Sequence, residues 1–444
     1  MITYSNLVLR ATLAHAAPSE PGGLKKTMRN GVPWLNMTAP VRVAMIDVAA
    51  PLADLACGRA ERPPYTAAWI LVCRAGHPIG SIEIPLHDPV ITVAELEREV
   101  SRQLGQDGQR DVQVAHQPPP LSRASVVVPT NLARPAELRR CLKSLAELDH
   151  PNYEVIVVDN RPADAPPADI EGARVVREPR PGASAARNRG ASVATGEIIA
   201  FTDDDIQAHP GWLSALGSRF ARQPHLSAVT GMVVPLELET QAQILFEQSG
   251  NGPERGCAPL TFARAGRFMV RRCDEQAGQE QVRSLYLTGD FGLGANMAFR
   301  AAVLHALGGF DEALGPGLPT HSAEDLALFV ELLAAGHQLG YEPTAIIEHQ
   351  HRTTMAELDR QIHDYGVGFS AMLTAVALRN PWHAFGLAAV APAWLRSLRG
   401  ESSTKSVNRA SDYPPALVRA ELRGMVAGPL AYLRARRTSP PRRR

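Results

Sequence analysis

The chain of 444 residues is 45% hydrophobic and 20% charged, an ordinary globular balance with room for two or three domains. Its net charge of +1 supplies no global field for nucleic acid, and no run of roughly 18 apolar residues marks a membrane span. Five cysteines, Cys57, Cys73, Cys141, Cys257 and Cys273, make no CxxC pair, which argues against a disulfide framework or zinc ribbon and for a reducing compartment.

Residues 1–36 show no periodicity and read as a disordered leader or an overlong start, with further in-frame methionines at Met28 and Met37. A secretory signal is disfavoured, because Arg10 breaks the apolar run and no basic segment precedes it. Residues 37–118 read as a small accessory α+β domain. Val41–Ile46 and Ala67–Cys73 are strand-like, and Ser81–Leu86 alternates with the strand period of two. Thr92 caps a helix over Ala94–Val100, and His116-Gln-Pro-Pro-Pro120 follows as a stiff linker.

The main domain, over 122–370, opens with Ser125-Val-Val-Val-Pro129, a continuous apolar strand of the kind buried in parallel sheets. A helix is predicted from Pro135 to Leu148, with Leu138, Cys141, Leu142 and Leu145 on one face. Tyr153–Asp159 is the second strand, Val175-Val176 a short third, and Gly182-Ala-Ser opens another helix. Ile198–Phe201 is a buried strand that runs straight into Asp203, Asp204 and Asp205. This alternation is α/β and Rossmann-like, an arrangement that delivers strand C-termini to the ligand crevice.

Three hard carboxylates at such a strand end suit Mg²⁺ or Mn²⁺ bridging to phosphates; the competing account is a solvated turn before the next helix. Asp159, acceptor-only when ionised, is placed to read a base or ribose, or else forms the turn before Asn160. Arg187, one turn into its helix, is placed for bound phosphate or is a surface arginine. The stretch 240–290 is irregular. Beyond it, Gly292, Gly294 and Asn296 form a loop that allows close backbone approach to a ligand, or a tight connection.

In His321-Ser-Ala-Glu-Asp325 the spacing of Ser322 and Asp325 is that of a capping box, ahead of a helix from Leu326 to Ala335. The functional alternative hangs Glu324 and Asp325 over the crevice, one of them as general base. Thr344–His349 is a strand running into His349-Gln-His351, whose histidines are ligand candidates because alternate strand residues face one way.

Leading into and within the helical, basic region 371–444, the apolar pieces are Phe369–Arg379, Trp382–Leu398 and Met425–Leu433. From residue 401 onward ten Lys/Arg stand against three Asp/Glu. Apolar helices edged by Trp, Tyr and Arg suit an anionic membrane interface; the alternative is a helical hairpin packed on the main domain, with a basic tail.

The ordered set SVVVPT, YEVIVVDN, PGASAARNRGASVATGEIIAFTDDD, FGLGANMAFR, LGGFDEALG and SAEDLALFVELLAAG resembles glycosyltransferase family 2, with its GT-A fold. The resemblance covers residues 124–370. It implies transfer of a sugar, with inversion, from a nucleotide-diphosphate donor (a UDP-sugar by default) to a hydroxyl of a glycan, lipid or peptide. Carried across by position, Pro129 and Thr130 line the nucleotide pocket and Asp159 reads the base. Asp203 and Asp205 match the two ends of the family's D-x-D, meeting ribose and Mn²⁺ or Mg²⁺, with Asp204 between them. Asp325 matches the catalytic base, with Glu324 beside it. His349 matches a metal-binding histidine of some members, and His351 is the fallback. The Gln-x-x-Arg-Trp pattern of processive members is absent, which implies addition of one or a few sugars.

The chemistry is consistent with that assignment. A departing diphosphate gains negative charge, which a divalent cation and Arg187 offset, and an acceptor hydroxyl needs a base within reach. A sugar nucleotidyltransferase would want a Gly-rich basic loop after the first strand, where Pro129-Thr130-Asn131 stands instead. A nucleotide-sugar-binding scaffold without turnover has no need of Asp203, Asp205 and Asp325 together. The expected location is cytoplasmic, with peripheral contact to the cytoplasmic face of the membrane and a lipid-linked or cell-envelope acceptor.

Overall fold

A computed structural model describes residues 37–105, 120–251, 256–399 and 413–439. The leader over 1–36, all but the last residue of the 116–120 linker, and Arg442–Arg444 lie outside the described residues.

The N-terminal unit runs β1 (Val41–Asp47), β2 (Leu55–Ala56), β3 (Ala67–Arg74), β4 (His77–Pro85), β5 (Val90–Ile91) and α1 (Val93–Leu104). One sheet has the order β1-β3-β4, and β2 pairs with β5. The period-two alternation of β3 gives it two buried faces. Ala68, Ile70 and Val72 share a core with Leu96 and Val100 of α1. Trp69, Leu71 and Cys73 share another with Met232, Val234 and Ile346 of the main domain. All five cysteines of the chain are free thiols.

The main domain begins β6 (Ala124–Thr130), α2 (Pro135–Ala146), β7 (Tyr153–Asp159), β8 (Arg174–Arg177), α3 (Ala183–Val193), β9 (Ile198–Phe201), β10 (Ile206–Ala208) and α4 (Trp212–Arg222). It continues β11 (Leu226–Pro235), α5 (Gln241–Phe246), β12 (Leu260–Arg264), β13 (Met269–Asp274), β14 (Gln279–Ser284), β15 (Met297–Arg300), α6 (Ala301–Ala306), α7 (Glu324–Ala334) and β16 (Gln338–His349). The strands form one sheet in the order β14-β13-β12-β16-β11-β15-β9-β6-β7-β8, with β10 paired to β16. The run β9-β6-β7-β8 is parallel, as a Rossmann-like half requires. β15 is antiparallel to both β9 and β11, so the whole α/β sheet is mixed, in keeping with a GT-A fold.

β9 shows why so short a strand is wholly apolar. Ile198 and Ala200 enter the core on one face of the sheet, while Ile199 and Phe201 enter the core on the other. The stretch 240–290, which reads as irregular, in fact holds α5, a π-helical turn over Glu247–Asn251 and the β12–β14 meander. Its outermost strand, Gln-Glu-Gln-Val-Arg-Ser, lies at the sheet edge and buries no residue fully, so no apolar alternation marks it.

Three helices complete the described chain: α8 (Met355–Arg379), α9 (Trp382–Arg399) and α10 (Pro415–Thr438). The helix expected from Phe369 begins at Met355 and runs straight through Gly366 and Gly368. Close packing offsets the usual cost of glycine in a helix. A Cβ on Gly366 would strike the Glu421 carbonyl oxygen of α10, and one on Gly424 would strike that of His363 in α8. The Met425–Leu433 piece therefore belongs to a longer helix laid along α8, with Tyr432 and Ala435 buried. Its opposite face leaves Leu422, Val426, Leu430 and Leu433 exposed. Among the described residues no helix is long and apolar enough to cross a membrane.

Candidate active site

Three neighbouring strands end side by side. Thr130 ends β6 and Asp159 ends β7, paired in register, and Asp203–Asp205 follow β9 directly. β10 then pairs antiparallel with the end of β16, placing Ile206 opposite His349. That pairing carries a histidine remote in the chain to the side of Asp205. One ligand atom from each of Asp203, Asp205 and His349 lies within 4.8 Å of the others.

Asp205 is buried, and its two oxygens have different surroundings. Oδ2 accepts from Arg134 at 2.6 Å, while Oδ1 lies 3.3 Å from His349 Nε2, close enough for an ion pair but without hydrogen-bond alignment. Burial alone would raise this carboxyl; His349 and Arg134 overcome it and hold the group well below the usual carboxylate range. For His349 burial acts downward, and Asp205 outweighs it, so the imidazole is raised above its ordinary value.

Asp204 turns away from the cluster. It accepts from Thr130 Oγ1 at 2.6 Å and from Arg134 at 3.2 Å, and burial raises its carboxyl. Arg134 thus clamps both aspartates, a role that no pattern in the sequence announces. Its only local signal is a cation standing between the first strand and the Pro135 that opens α2. Pro129 is half-buried in β6 beside Thr130.

Asp159 accepts four hydrogen bonds, from the Arg161 backbone N–H at 3.1 Å, Arg161 Nε and Nη2 at 2.9 Å each, and Arg177 Nη1 at 2.8 Å. The Arg161 hydrogen bonds lower its carboxyl despite burial. An ionised carboxylate offers about four acceptor positions, so the two arginines occupy them all.

Arg187 is a buried residue, not a surface arginine. Its guanidinium bonds Asp203 at 2.8 Å and also pairs with Glu324. At the start of its helix, Ala183 N–H goes to the Pro316 carbonyl at 3.0 Å and Gly182 N–H to Asn160 Oδ1 at 3.1 Å.

α7 begins at Glu324 with Ala323 as N-cap in the left-handed region, φ 71°, and no side chain caps it. The capping-box reading of Ser322 and Asp325 therefore fails, because that backbone puts Asp325 in the first turn without a Ser322 cap. Ser322 Oγ donates instead to the Asp364 carbonyl at 3.2 Å. Asp325 is buried and accepts from Leu326 N–H at 2.8 Å and from Gly294 N–H. Gly294 serves that approach: a Cβ there would sit 3.0 Å from Asp325 Oδ2. Burial first, and the Glu324 charge second, push the Asp325 carboxyl up to about 7 against the pull of these N–H groups and Arg187.

His351 does not share the metal-type cluster. It is buried, with Nδ1 3.3 Å from His349 Nδ1 and Nε2 bonded to Glu247 of the π turn. Glu247 falls in the stretch that reads as irregular, and nothing in its neighbours marks it.

Residues 125–255 match the family described as Glycosyl transferase family 2. The chain carries a family 2 glycosyltransferase domain. The Pre-mycofactocin glycosyltransferase of Mycobacterium tuberculosis (strain ATCC 25618 / H37Rv) is 30% identical over 282 residues, 61% of this chain and 52% of that protein. The Glucosyl-dolichyl phosphate glucuronosyltransferase of Haloferax volcanii is 25% identical over 174 residues, 38% and 48% of the two chains. The chain spans about half the length of these relatives. Among solved structures, a mannosyltransferase from Pyrobaculum calidifontis in complex with GDP-Man and Mn²⁺ aligns with a TM-score of 0.43 and 19% identity, over 75% of this chain and 93% of that one. Of the residues of this cluster, Asp159, Arg187 and Asp203–Asp205 lie inside the matched segment, whereas Glu324, Asp325 and His349 lie beyond residue 255.

Proposed function

We propose that the chain is an inverting glycosyltransferase that moves a sugar from a nucleotide-diphosphate donor to an acceptor hydroxyl, with Asp325 as base. One observation carries this reading. Arg187 links a metal-type cluster, through Asp203, to the buried acid pair Glu324 and Asp325.

The donor set fits a divalent cation. Two carboxylates and an imidazole suit Mn²⁺ or Mg²⁺. Asp205 Oδ1 is buried and lies 3.3 Å from His349 Nε2 without hydrogen-bond alignment, an arrangement in which both atoms can turn to a shared cation. Asp203, Asp205 and His349 would hold that ion, and bound there it offsets negative charge gathering on the departing diphosphate. Arg134 supplies a further positive charge at Asp205 and at the adjacent Asp204. We assign the nucleotide to the ends of β6 and β7, with Pro129, Thr130 and Asp159 at its border.

Asp325 has the environment of a base working near neutral pH. It takes the proton as the acceptor oxygen bonds to the anomeric carbon and the carbon–oxygen bond to the diphosphate breaks with its electron pair. A single displacement inverts the centre. Glu324 pairs with Arg187 and acts on Asp325 through its charge.

The exposed stripe of α10, Leu422, Val426, Leu430 and Leu433, is accompanied by exposed Arg419, Arg423, Arg434 and Arg437. Apolar side chains flanked by arginines match an anionic membrane surface, which supports a lipid-linked or cell-envelope acceptor.

The test is a screen of UDP-, GDP- and dTDP-sugars for Mn²⁺-dependent release of nucleotide, with Asp205→Ala beside the wild type. Release by the wild type and silence of the variant support the proposal. Absence of turnover together with absence of donor binding by thermal shift overturns it.

A further inference from the structure

His351 sits between two partners of opposite demand. Its Nε2 bonds Glu247 Oε1, and its Nδ1 lies 3.3 Å from Nδ1 of His349. A carboxylate only accepts, so neutral His351 must carry its proton on Nε2 and present a lone pair at Nδ1. His349 then has to donate from Nδ1, and its own lone pair is left on Nε2. That is the nitrogen 3.3 Å from Asp205 Oδ1.

The surroundings hold this chain of groups in place. The Phe246 ring lies 4.4 Å from the His351 ring, centroid to centroid, and Gln243 Nε2 donates to the His351 carbonyl at 3.5 Å. Glu247 opens the π turn, a distortion that recurs at functional sites. Its carboxylate is buried, and its Oε2 has no partner among the described residues. A buried carboxylate with one oxygen unsatisfied is a poor structural element. Its strong partner among the described residues is His351.

We propose that Glu247 and His351 are positioning residues that set the tautomer of His349, so that its Nε2 faces a divalent cation shared with Asp203 and Asp205. The inference rests on the metal-site reading above. An outer partner that orients a ligating histidine changes metal affinity without touching the metal.

The experiment is calorimetric titration of Mn²⁺ into the metal-free full chain. The proteins are wild type, Asp205→Asn, Glu247→Leu, Glu247→Gln, His351→Phe and the Glu247→Leu/His351→Phe double variant, each checked for a cooperative thermal melt. Glu247→Leu and His351→Phe should each weaken Mn²⁺ binding roughly 10–100-fold. Glu247→Gln, whose amide oxygen still accepts from His351, should recover most of the affinity. The double variant should bind no more weakly than the worse single one, as for groups acting in series. Should Glu247→Leu not fold, His351→Phe, which keeps a ring against Phe246, carries the same test with Glu247→Gln. A folded His351→Phe that binds Mn²⁺ within about twofold of wild type, or two losses that multiply in the double variant, overturns the relay. Equal binding by wild type and Asp205→Asn overturns the metal site itself, and the relay with it.

Discussion

The neighbouring carboxylates of Glu324 and Asp325 are held by different kinds of partner. Glu324 pairs with the buried Arg187, whereas Asp325 is bound by the N–H groups of Leu326 and Gly294. On the proposed reading the two adjacent acids divide their duties, Glu324 held by Arg187 and Asp325 as the base.

Asp325→Asn should therefore cut transfer by roughly 10²–10⁴-fold while leaving donor and Mn²⁺ binding intact. Its effect on stability has a definite sign. The carboxyl is raised from 3.8 to about 7, so the folded chain keeps a proton there that the unfolded chain has already lost. The destabilisation from this charge is absent below the unfolded value and complete above about 7. The thermal midpoint of metal-free Asp325→Asn should exceed that of wild type at pH 8, with the gap closing towards pH 4. An equal gap at both pH values would show that the acid is not buried as described.

The pH profile of kcat/KM follows from the same group. Activity should rise as Asp325 loses its proton near pH 7. Glu324→Gln removes the neighbouring negative charge and releases Arg187, and both changes lower the Asp325 carboxyl. The acidic limb should shift to lower pH in this variant, read from initial rates at saturating Mn²⁺. A limb that stays in place would separate Asp325 from the rate.

Arg134 is the cation shared by Asp204 and Asp205. Arg134→Ala leaves two buried, adjacent carboxylates without their shared cation, so the thermal midpoint of the metal-free protein should fall. Mn²⁺ should then raise the variant's midpoint by more than it raises that of wild type, because the ion replaces the missing charge. Equal Mn²⁺ shifts would place the ion elsewhere.

The helix pair α8–α10 depends on bare backbone. Gly424→Val forces side-chain atoms into the His363 carbonyl region and should destabilise the protein by about 1–3 kcal/mol in urea titration. A neutral result would mean that α10 is not seated on α8 in solution.

The exposed face of α10 permits a clean membrane test. Val426→Glu with Leu430→Glu alters side chains that are 83% and 53% exposed, so the thermal midpoint should not move. Co-sedimentation with phosphatidylglycerol-containing vesicles should drop sharply, and wild-type binding should weaken with salt. Unchanged sedimentation would leave the stripe without a lipid role.

Much of this molecule is legible one segment at a time. β6, β7 and β9 declare themselves because an apolar strand buried on both faces needs only a short run of side chains, and the aspartates after β9 are adjacent in the chain. Period and length are local properties. Helix α8 is different: its apolar piece begins only at Phe369, and the close packing of α10 backbone on Gly366 and of Ser322 on Gly368 accounts for a helix that is continuous through both.

The sequence by itself determined the α/β core, the acidic strand end and the candidacy of Asp325 and His349. Tertiary structure alone decided what each of them meets. The β10–β16 pairing carried His349 to Asp205, the left-handed Ala323 released Asp325 from Ser322, and a π turn with no periodic signature brought Glu247 to His351. Arg134 joined two aspartates remote from it in the chain. The physical reason is common to all four. Hydrogen-bond partners, desolvation and charge pairing are set by whichever segments the fold brings together, and none of these is encoded in the spacing of neighbouring residues.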